Sequence, residues 1–362
     1  MQKEKVYIFG AQSRGKTLKG YLEFLYPEVK ILSFLVDDMA ENATEIDGIP
    51  VRRTERGQEW DNSARVFIAT KGIYHAEIQN RLTKLDFHEI IPVTVEVDNF
   101  FRNEYVKKYM KQQGREFVKL VQLPSPKQAA PMGVSARIYM AKSIYDKPLQ
   151  TIFSLPEYVK PIQVGAILTE ERLEADILTD CLGDNISHKN RQYSELTALY
   201  WIWKHAREEI VGLCHYRRHF VLPDNWLAIM AENEIDVILP VPTVVLPNIG
   251  ENYRERHDAT DWKFLMEYLQ YNSQDDYKVA EKVFGESLYS PCNMFIAKRK
   301  IVDELCQWMF PILEAVERNG GIKTDVYQNR YPGFISERLI TLFFHKRCKQ
   351  YKIVYADKVF LG

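Results

Sequence analysis

Short apolar runs alternate with amphipathic stretches through the first hundred residues. "KVYIFG", "KILSFLVDD", "ARVFIAT" and "EIIPV" read as strands, and "TLKGYLEFLY" and "IYHAEIQNRLTKLDF" between them read as helices. Strands alternating with helices imply right-handed crossovers and a mostly parallel sheet, a Rossmann-like α/β domain over residues 1–120. Its last stretch, Arg102 to Lys119, reads as a helix with six basic residues against two glutamates. That face is either simply solvated or a surface that settles on anionic lipid headgroups. Next, the three prolines of "VQLPSPKQAAPMG" oppose both helix and central strand, so residues 121–133 read as a linker. From Val134 onward "ARIYMA", "IQVGAIL", "EIVGLCHY", "EIDVILP", "NMFIAKR" and "KIVYADKVF" read as strands with helical patterns between them. Residues 134–362 thus read as a second α/β domain.

Composition narrows the function more than the fold. The 362 residues carry 48 basic against 49 acidic side chains, which leaves no global field for gripping nucleic acid. The five cysteines are dispersed, odd in number and without a C-x-x-C pair, which argues against a disulfide framework or a thiolate zinc site. No apolar run approaches the ~18 residues of a membrane span, and "MQKEKVYIFG" lacks the apolar core of a signal peptide. A cytoplasmic protein is expected.

"GAQSRGKT" at residues 10–17 fits the phosphate-loop pattern G-x-x-x-x-G-K-[ST] between a strand and a helix. The same context suits a Rossmann turn, in which Gly10 and Gly15 allow the tight turn and the close helix approach while Lys16 is solvated. Only about 120 residues precede the linker, little room for the water-positioning and magnesium-holding parts of an NTPase. Asp37 and Asp38, after the second strand, stand where an acidic side chain would hold a ribose hydroxyl. Three readings stay open: a nucleotide or nucleotide-sugar held near Gly10, Gly15 and Asp37; a scaffold of this fold without a ligand; and triphosphate hydrolysis. "FLVDD", "DGIPV", "VFIAT" and "LDFHEIIPV" resemble the small N-terminal domain of bacterial sugar O-acyltransferases of the sialic-acid and bacillosamine type, which implies uptake of a nucleotide-sugar.

The second domain concentrates polar side chains beyond what packing requires. In "TDCLGDNISHKNRQYSELTALYWIWKH", Leu196, Leu199, Tyr200 and Trp203 form an apolar helix face, and Asn190, Ser194 and Thr197 a polar stripe. Asp184 and Asn185 lie in the preceding loop, where helix capping is the ordinary alternative. "EEIVGLCHYRRHF" runs a buried strand into His215, Arg217 and Arg218 at its carboxyl end, where open α/β sheets bind ligands and guanidinium forks suit phosphate. If that strand persists, Arg217 and Arg218 point to opposite faces and one of them meets ligand. The alternative is a surface ion-pair strand end. In "RYPGFISERLITLFF", Arg338 sits at the edge of an apolar stripe and needs an acidic partner or a phosphate, whereas Glu337 faces away. His257, Asp258 and Asp261 lie where a carboxylate could deprotonate a hydroxyl, with N-capping as the ordinary alternative.

"PIQVGAIL", "DCLGDNISHKNRQYSELTALYWIWKH", "VGLCHYRRHF", the His257–Asp261 spacing, "NMFIAKR" and "GFISERLI" are similar to a bacterial family, long described as a domain of unknown function, associated with capsular and exopolysaccharide glycosyltransferases. The resemblance covers Val134 to Phe344. It implies an A-type glycosyltransferase fold, a nucleotide-sugar donor, expected to be a UDP-sugar, and a glycan or lipid-linked glycan acceptor at the inner face of the membrane. Where such folds often carry a metal-holding Asp-x-Asp, this chain has arginines, so no metal site is assigned. On this reading Asp261 and then Glu337 are the candidate bases. Asp184, Asn185, Asn190, His215, Arg217, Arg218, His257, Asn293 and Arg338 hold the donor. Members usually carry a Thr-His-Lys-like stretch after the first strand, whereas this chain reads "YMAKSIYDKP" with Ala141 and Lys142 there. That departure keeps a rival open: a non-catalytic nucleotide-sugar sensor that partners a polysaccharide machine.

Overall fold

In the computed structural model, residues 4–55, 57–125, 134–149 and 153–361 are described. The chain divides into two compact units, Met1–Glu116 and Phe117–Gly362. Most of the expected linker, residues 126–133, lies outside the described residues, and residues 121–125 belong to the second unit.

The first unit runs β1 (Lys5–Phe9), α1 (Ser13–Leu25), β2 (Lys30–Val36), β3 (Glu45–Ile46), β4 (Ile49–Arg53), β5 (Arg65–Ile68), α2 (His75–Thr83), β6 (Ile90–Pro92) and α3 (Val95–Gln112). The sheet order is β3-β4-β2-β1-β5-β6, parallel throughout except for the β3–β4 hairpin. Such a sheet is buried on both faces, which is why its strands read as continuous apolar runs rather than alternating ones. Ile8, Phe34, Leu35, Val66 and Ile68 are accordingly buried. The basic helix is displaced from its expected bounds. It starts seven residues before Arg102 because Thr94 caps it, its hydroxyl accepting from the Val97 amide at 3.3 Å, and it stops where Gly114 turns left-handed at φ +67°. One of its lysines, Lys108, is spent inside the unit, donating to the carbonyls of Phe24 and Leu25 at the end of α1.

The second unit runs β7 (Ala136–Lys142), β8 (Val159–Gln163), β9 (Leu178–Thr179), α4 (Asn190–Tyr193), α5 (Leu196–His205), β10 (Ile210–His215), β11 (Arg218–Phe220), α6 (Trp226–Glu232), β12 (Val237–Pro240), β13 (Thr243–Val244), α7 (Ile249–Arg256), α8 (Ala259–Asn272), α9 (Gln274–Phe284), β14 (Leu288–Tyr289), β15 (Phe295–Lys298), α10 (Arg299–Gly320), α11 (Tyr331–Lys346), β16 (Ile353–Ala356) and β17 (Lys358–Phe360). Its sheet is ordered β16-β12-β15-β10-β7-β8-β9. Strand β15 is antiparallel to both β10 and β12, while the remaining neighbours run parallel. The carboxyl ends of β7, β8 and β10 therefore meet at one edge. Two expected strands are shorter than their apolar runs. "IQVGAIL" stops at Gln163, because Gly165 takes φ +66° and turns the chain into a short 3-10 segment. "KIVYADKVF" breaks at Asp357 into β16, on the sheet edge, and β17, which pairs with β11.

Candidate functional site

At that carboxyl edge lies a cavity of about 350 Å³. Four of the residues assigned to the donor from the sequence line it: Asn190, His215, Arg217 and Arg218. Both arginines reach it because β10 does not persist. The chain reverses at Tyr216 and Arg217, so that Arg218 pairs back on His215 in an antiparallel step, and the alternation that would have separated the two side chains is lost. Ser194, from the polar stripe read in the sequence, also lines the cavity, as do Asp146, Glu195 and Arg330, which were not assigned from the sequence. Among the described residues no carboxylate lies within ion-pair distance of Arg217, Arg218 or Arg330. Arg217 reaches the carbonyls of Lys147 and Pro148, at 3.5 Å, lies over the Tyr216 ring and attracts the Asp146 carboxylate from beyond ion-pair distance, and Arg330 donates to the Ser194 hydroxyl at 2.9 Å. Arg217 and Arg218, half-buried, and Arg330, exposed at the rim, are poised for an anionic ligand.

The loop after β8 is built around a carboxylate that the sequence reading passed over. Asp180 is fully buried and accepts from the amides of Gly165 (2.8 Å) and Ala166 (3.1 Å) and from the Ser187 hydroxyl (2.5 Å). This brings Gly165 against Asn190. A Cβ at 165 would meet the Asn190 side-chain oxygen at 2.7 Å, so the close approach requires glycine as well as its positive φ. Asn190 in turn donates to the Ser194 carbonyl at 2.8 Å and to the Thr197 hydroxyl at 3.1 Å.

Behind the cavity sits a second tier. Asn293, 1% exposed, donates to Glu195 Oε1 at 2.7 Å, and His215 Nε2 lies 2.5 Å from the Cys292 carbonyl and 3.7 Å from Glu195. Glu337 is largely covered rather than turned out to solvent. Its Oε1 accepts from the Cys292 amide at 2.5 Å and its Oε2 pairs with Arg338 at 2.9 Å. Burial pushes the Glu337 carboxyl above the usual range, opposed by Arg338. Arg338, 3% exposed, thereby takes the acidic partner rather than the phosphate, and it packs over the Tyr253 and Tyr289 rings. In the cavity itself, burial raises Asp146, whose Oδ2 accepts from the Ser143 amide at 2.7 Å.

The remaining assignments sit apart from the cavity lining. Asp261 is 2% exposed and is ion-paired to Lys323, which also holds Asp258 at 2.9 Å. A covered and neutralised carboxylate is ill placed to meet a hydroxyl. Asp258 caps α8 through the Thr260 amide, the ordinary role foreseen for it. His257 is sandwiched among Tyr253, Tyr327 and Phe334, its ring 4.1 Å from that of Phe334, and burial lowers it to about 4. Asn185 ties its own turn, donating to the carbonyls of Cys181 and Gly183 and accepting from the Ser187 amide. Asp184 is exposed, accepts from the Tyr200 hydroxyl at 3.1 Å and faces Lys204 at 3.6 Å.

In the first unit, α1 begins at Ser13, so that Gly10 to Gln12 form a tight turn rather than a broad loop around phosphates. A Cβ on Gly15 would meet the Gly10 carbonyl at 1.8 Å, the close helix approach of a Rossmann turn. Lys16 is exposed, and Asp37 is ion-paired with Arg81. A separate cavity of about 500 Å³ in this unit is lined mainly by Val6, Leu22, Phe67, Ile91 and Phe101, with few polar groups converging on it.

A family model described as a domain of unknown function, DUF4422, matches residues 143–349, more than half of the chain. Among solved structures, the apo bifunctional glycosyltransferase WbbM is similar at 24% identity with a TM-score of 0.55, over 63% of this chain and 45% of that one. The likeness concerns the fold, and this chain spans less than half the length of that protein. The mannosyltransferase Ktr4p from S. cerevisiae aligns at 9% identity with a TM-score of 0.28, over 67% of this chain and 74% of its own. None of the curated proteins matches. Among the described residues, no three His, Cys, Asp or Glu side chains gather as a metal site, and no helix is long and apolar enough to cross a membrane.

Proposed function

The chain belongs to the DUF4422 family, and on that premise we propose that its second unit is a glycosyltransferase that moves a sugar from a nucleotide-sugar, a UDP-sugar in the first instance, onto a glycan or lipid-linked glycan in capsular or exopolysaccharide assembly. The observation that carries the reading is the cavity at the carboxyl edge of the mixed sheet, with Arg217, Arg218 and Arg330 free of carboxylate partners among the described residues. A diphosphate leaving group gathers negative charge as its bond to the sugar breaks. Fixed guanidinium donors aimed at that charge lower the barrier without reorganising during the reaction. Asn190 and His215 complete the donor contacts in this reading. Asp146 and Glu195, the carboxylates on the cavity, take the base role that the sequence pattern gave to Asp261 and Glu337. Arg338, Asn293 and Glu337 then support the cavity from behind, and Asp184, Asn185 and His257 shape neighbouring loops. The Gly10 turn, with Gly15 packed against Gly10 and Asp37 paired to Arg81, stays outside this proposal as a nucleotide site. Peripheral contact with the inner membrane face belongs to the same proposal.

The test is thermal-shift titration of the full chain with UDP, GDP and their sugars, followed by assay of nucleoside diphosphate release. A matched donor is expected to raise the melting temperature and be slowly hydrolysed. The sensor reading, motivated by Ala141 on the cavity, where the resemblance read from the sequence implies a histidine, instead requires binding without turnover for every donor and glycan acceptor tried.

A further inference from the structure

We propose that Glu195 takes the proton from the attacking hydroxyl, and that Asn293, presented by a left-handed turn and braced by Ser336, is the positioning residue that aims it. This rests on the glycosyltransferase reading of the cavity. In the step, the acceptor oxygen bonds to the anomeric carbon of the donor sugar. The bond from that carbon to the diphosphate oxygen breaks with its electron pair going to the diphosphate, and the hydroxyl proton passes to Glu195.

Glu195 stands immediately before α5, so its charge lies at the helix end that favours an anion. It lines the cavity, and its Oε1 accepts the 2.7 Å bond from Asn293. Its other oxygen accepts no hydrogen bond among the described residues and is available to a substrate. The orientation of the Asn293 amide follows from its neighbours. Its nitrogen faces two acceptors, Glu195 Oε1 and the Gly333 carbonyl at 3.2 Å, while its oxygen faces the Ser336 hydroxyl at 2.8 Å. Reversing the amide would set oxygen against oxygen at both contacts. With Asn293 and Ser336 both buried, the arm behind Glu195 is dry and fixed.

The backbone makes the same point independently. Cys292 and Asn293 are consecutive non-glycine residues at φ +71° and +51°. Each such residue is strained unless its surroundings enforce the conformation, and such strain collects at functional sites. Here the turn is tied on its amino-terminal side, by Ser290 N to the Thr341 hydroxyl at 2.9 Å and by Cys292 N to Glu337, and its Cys292 carbonyl meets His215. One strained turn therefore sets both Glu195 and His215. Asp146 has no comparable support, being held by the Ser143 backbone amide three residues away in its own loop. The titratable and charged groups facing Glu195 are His215, Glu337 and Cys292 behind it and Asp146, Arg217, Arg218 and Arg330 around the cavity.

The experiment uses the full chain, a panel of UDP-hexoses with water or glycan as acceptor, and UDP-induced thermal shift as an independent readout. Glu195→Gln is expected to lower kcat at least 100-fold and keep the UDP shift. Asn293→Asp places a second carboxylate against Glu195, so the acid limb of the kcat profile should move to higher pH by about one unit or more. Asn293→Gly keeps the left-handed backbone accessible and removes the whole side chain, amide included. It should lower kcat at least tenfold with KM for the donor within threefold of wild type. Wild-type kcat and pH profile in the two Asn293 variants, or retained turnover in Glu195→Gln, would overturn this proposal alone. A wild-type protein that binds UDP but turns over no donor overturns the glycosyltransferase reading and takes this proposal with it.

Discussion

The Gly10 turn of the first unit and the arginine edge of the second occupy equivalent places, each at the carboxyl ends of parallel strands, yet they treat charge in opposite ways. At the Gly10 turn the polar groups satisfy one another. Asp37 pairs with Arg81, Arg14 donates to the Thr70 carbonyl at 2.9 Å, and Gly15 fits against Gly10. At the arginine edge, Arg217, Arg218 and Arg330 surround a cavity with no carboxylate pairing them among the described residues. A paired charge at a strand end is explained by the fold itself. An unpaired one asks for a ligand where it is half-buried and desolvation counts against it, as at Arg217 and Arg218; Arg330 stands exposed at the rim.

The largest expected effect therefore falls on the unpaired side. Arg217→Ala combined with Arg330→Ala should abolish the UDP-dependent thermal shift and cut donor turnover by about 100-fold or more. Equal loss of shift from Arg81→Ala would erase the contrast between the two edges. An intermediate effect is expected where the second edge is built. Asp180→Ala strips two buried amides and a hydroxyl of their shared acceptor. It should cost about 2–4 kcal/mol in urea unfolding, judged from the penalty for leaving buried polar groups unsatisfied. The smallest effect is at the opening motif. Lys16→Ala should change stability by less than about 0.5 kcal/mol, as for an exposed residue with no special partner. It should also leave UDP release unaltered, and magnesium-dependent ATP turnover that vanishes with Lys16 would instead restore the phosphate-loop reading.

Local patterns were legible in the sequence and long-range meetings were not. Strands β7, β10, β12 and β15 follow their apolar runs, and "CHYRRHF" points at the site directly. The facing of Arg217 and Arg218 was hidden because the reversal at Tyr216–Arg217 carries no glycine or asparagine, the usual markers of a tight hairpin. Asp146, Glu195 and Arg330 are ordinary letters in their own segments and converge only through the sheet. Asp261 looked like a base because Lys323, which neutralises it, lies 62 residues away. The Cys292–Asn293 turn had one available signal, an asparagine just after a Pro-Cys pair, since asparagine tolerates the left-handed region better than most residues.

The hairpin that exposes both arginines also fastens them to a distant part of the chain. Arg218 pairs with Phe360, and the Leu361 amide donates to the Arg217 carbonyl at 2.8 Å. Electrostatic readiness is thus acquired only when β17 has docked, a contact that spans over a hundred residues of chain and whose closure entropy is met late in assembly. Peeling that single ribbon, far short of melting the molecule, would scatter the guanidinium pair and silence the pocket while most of its sheet stood intact.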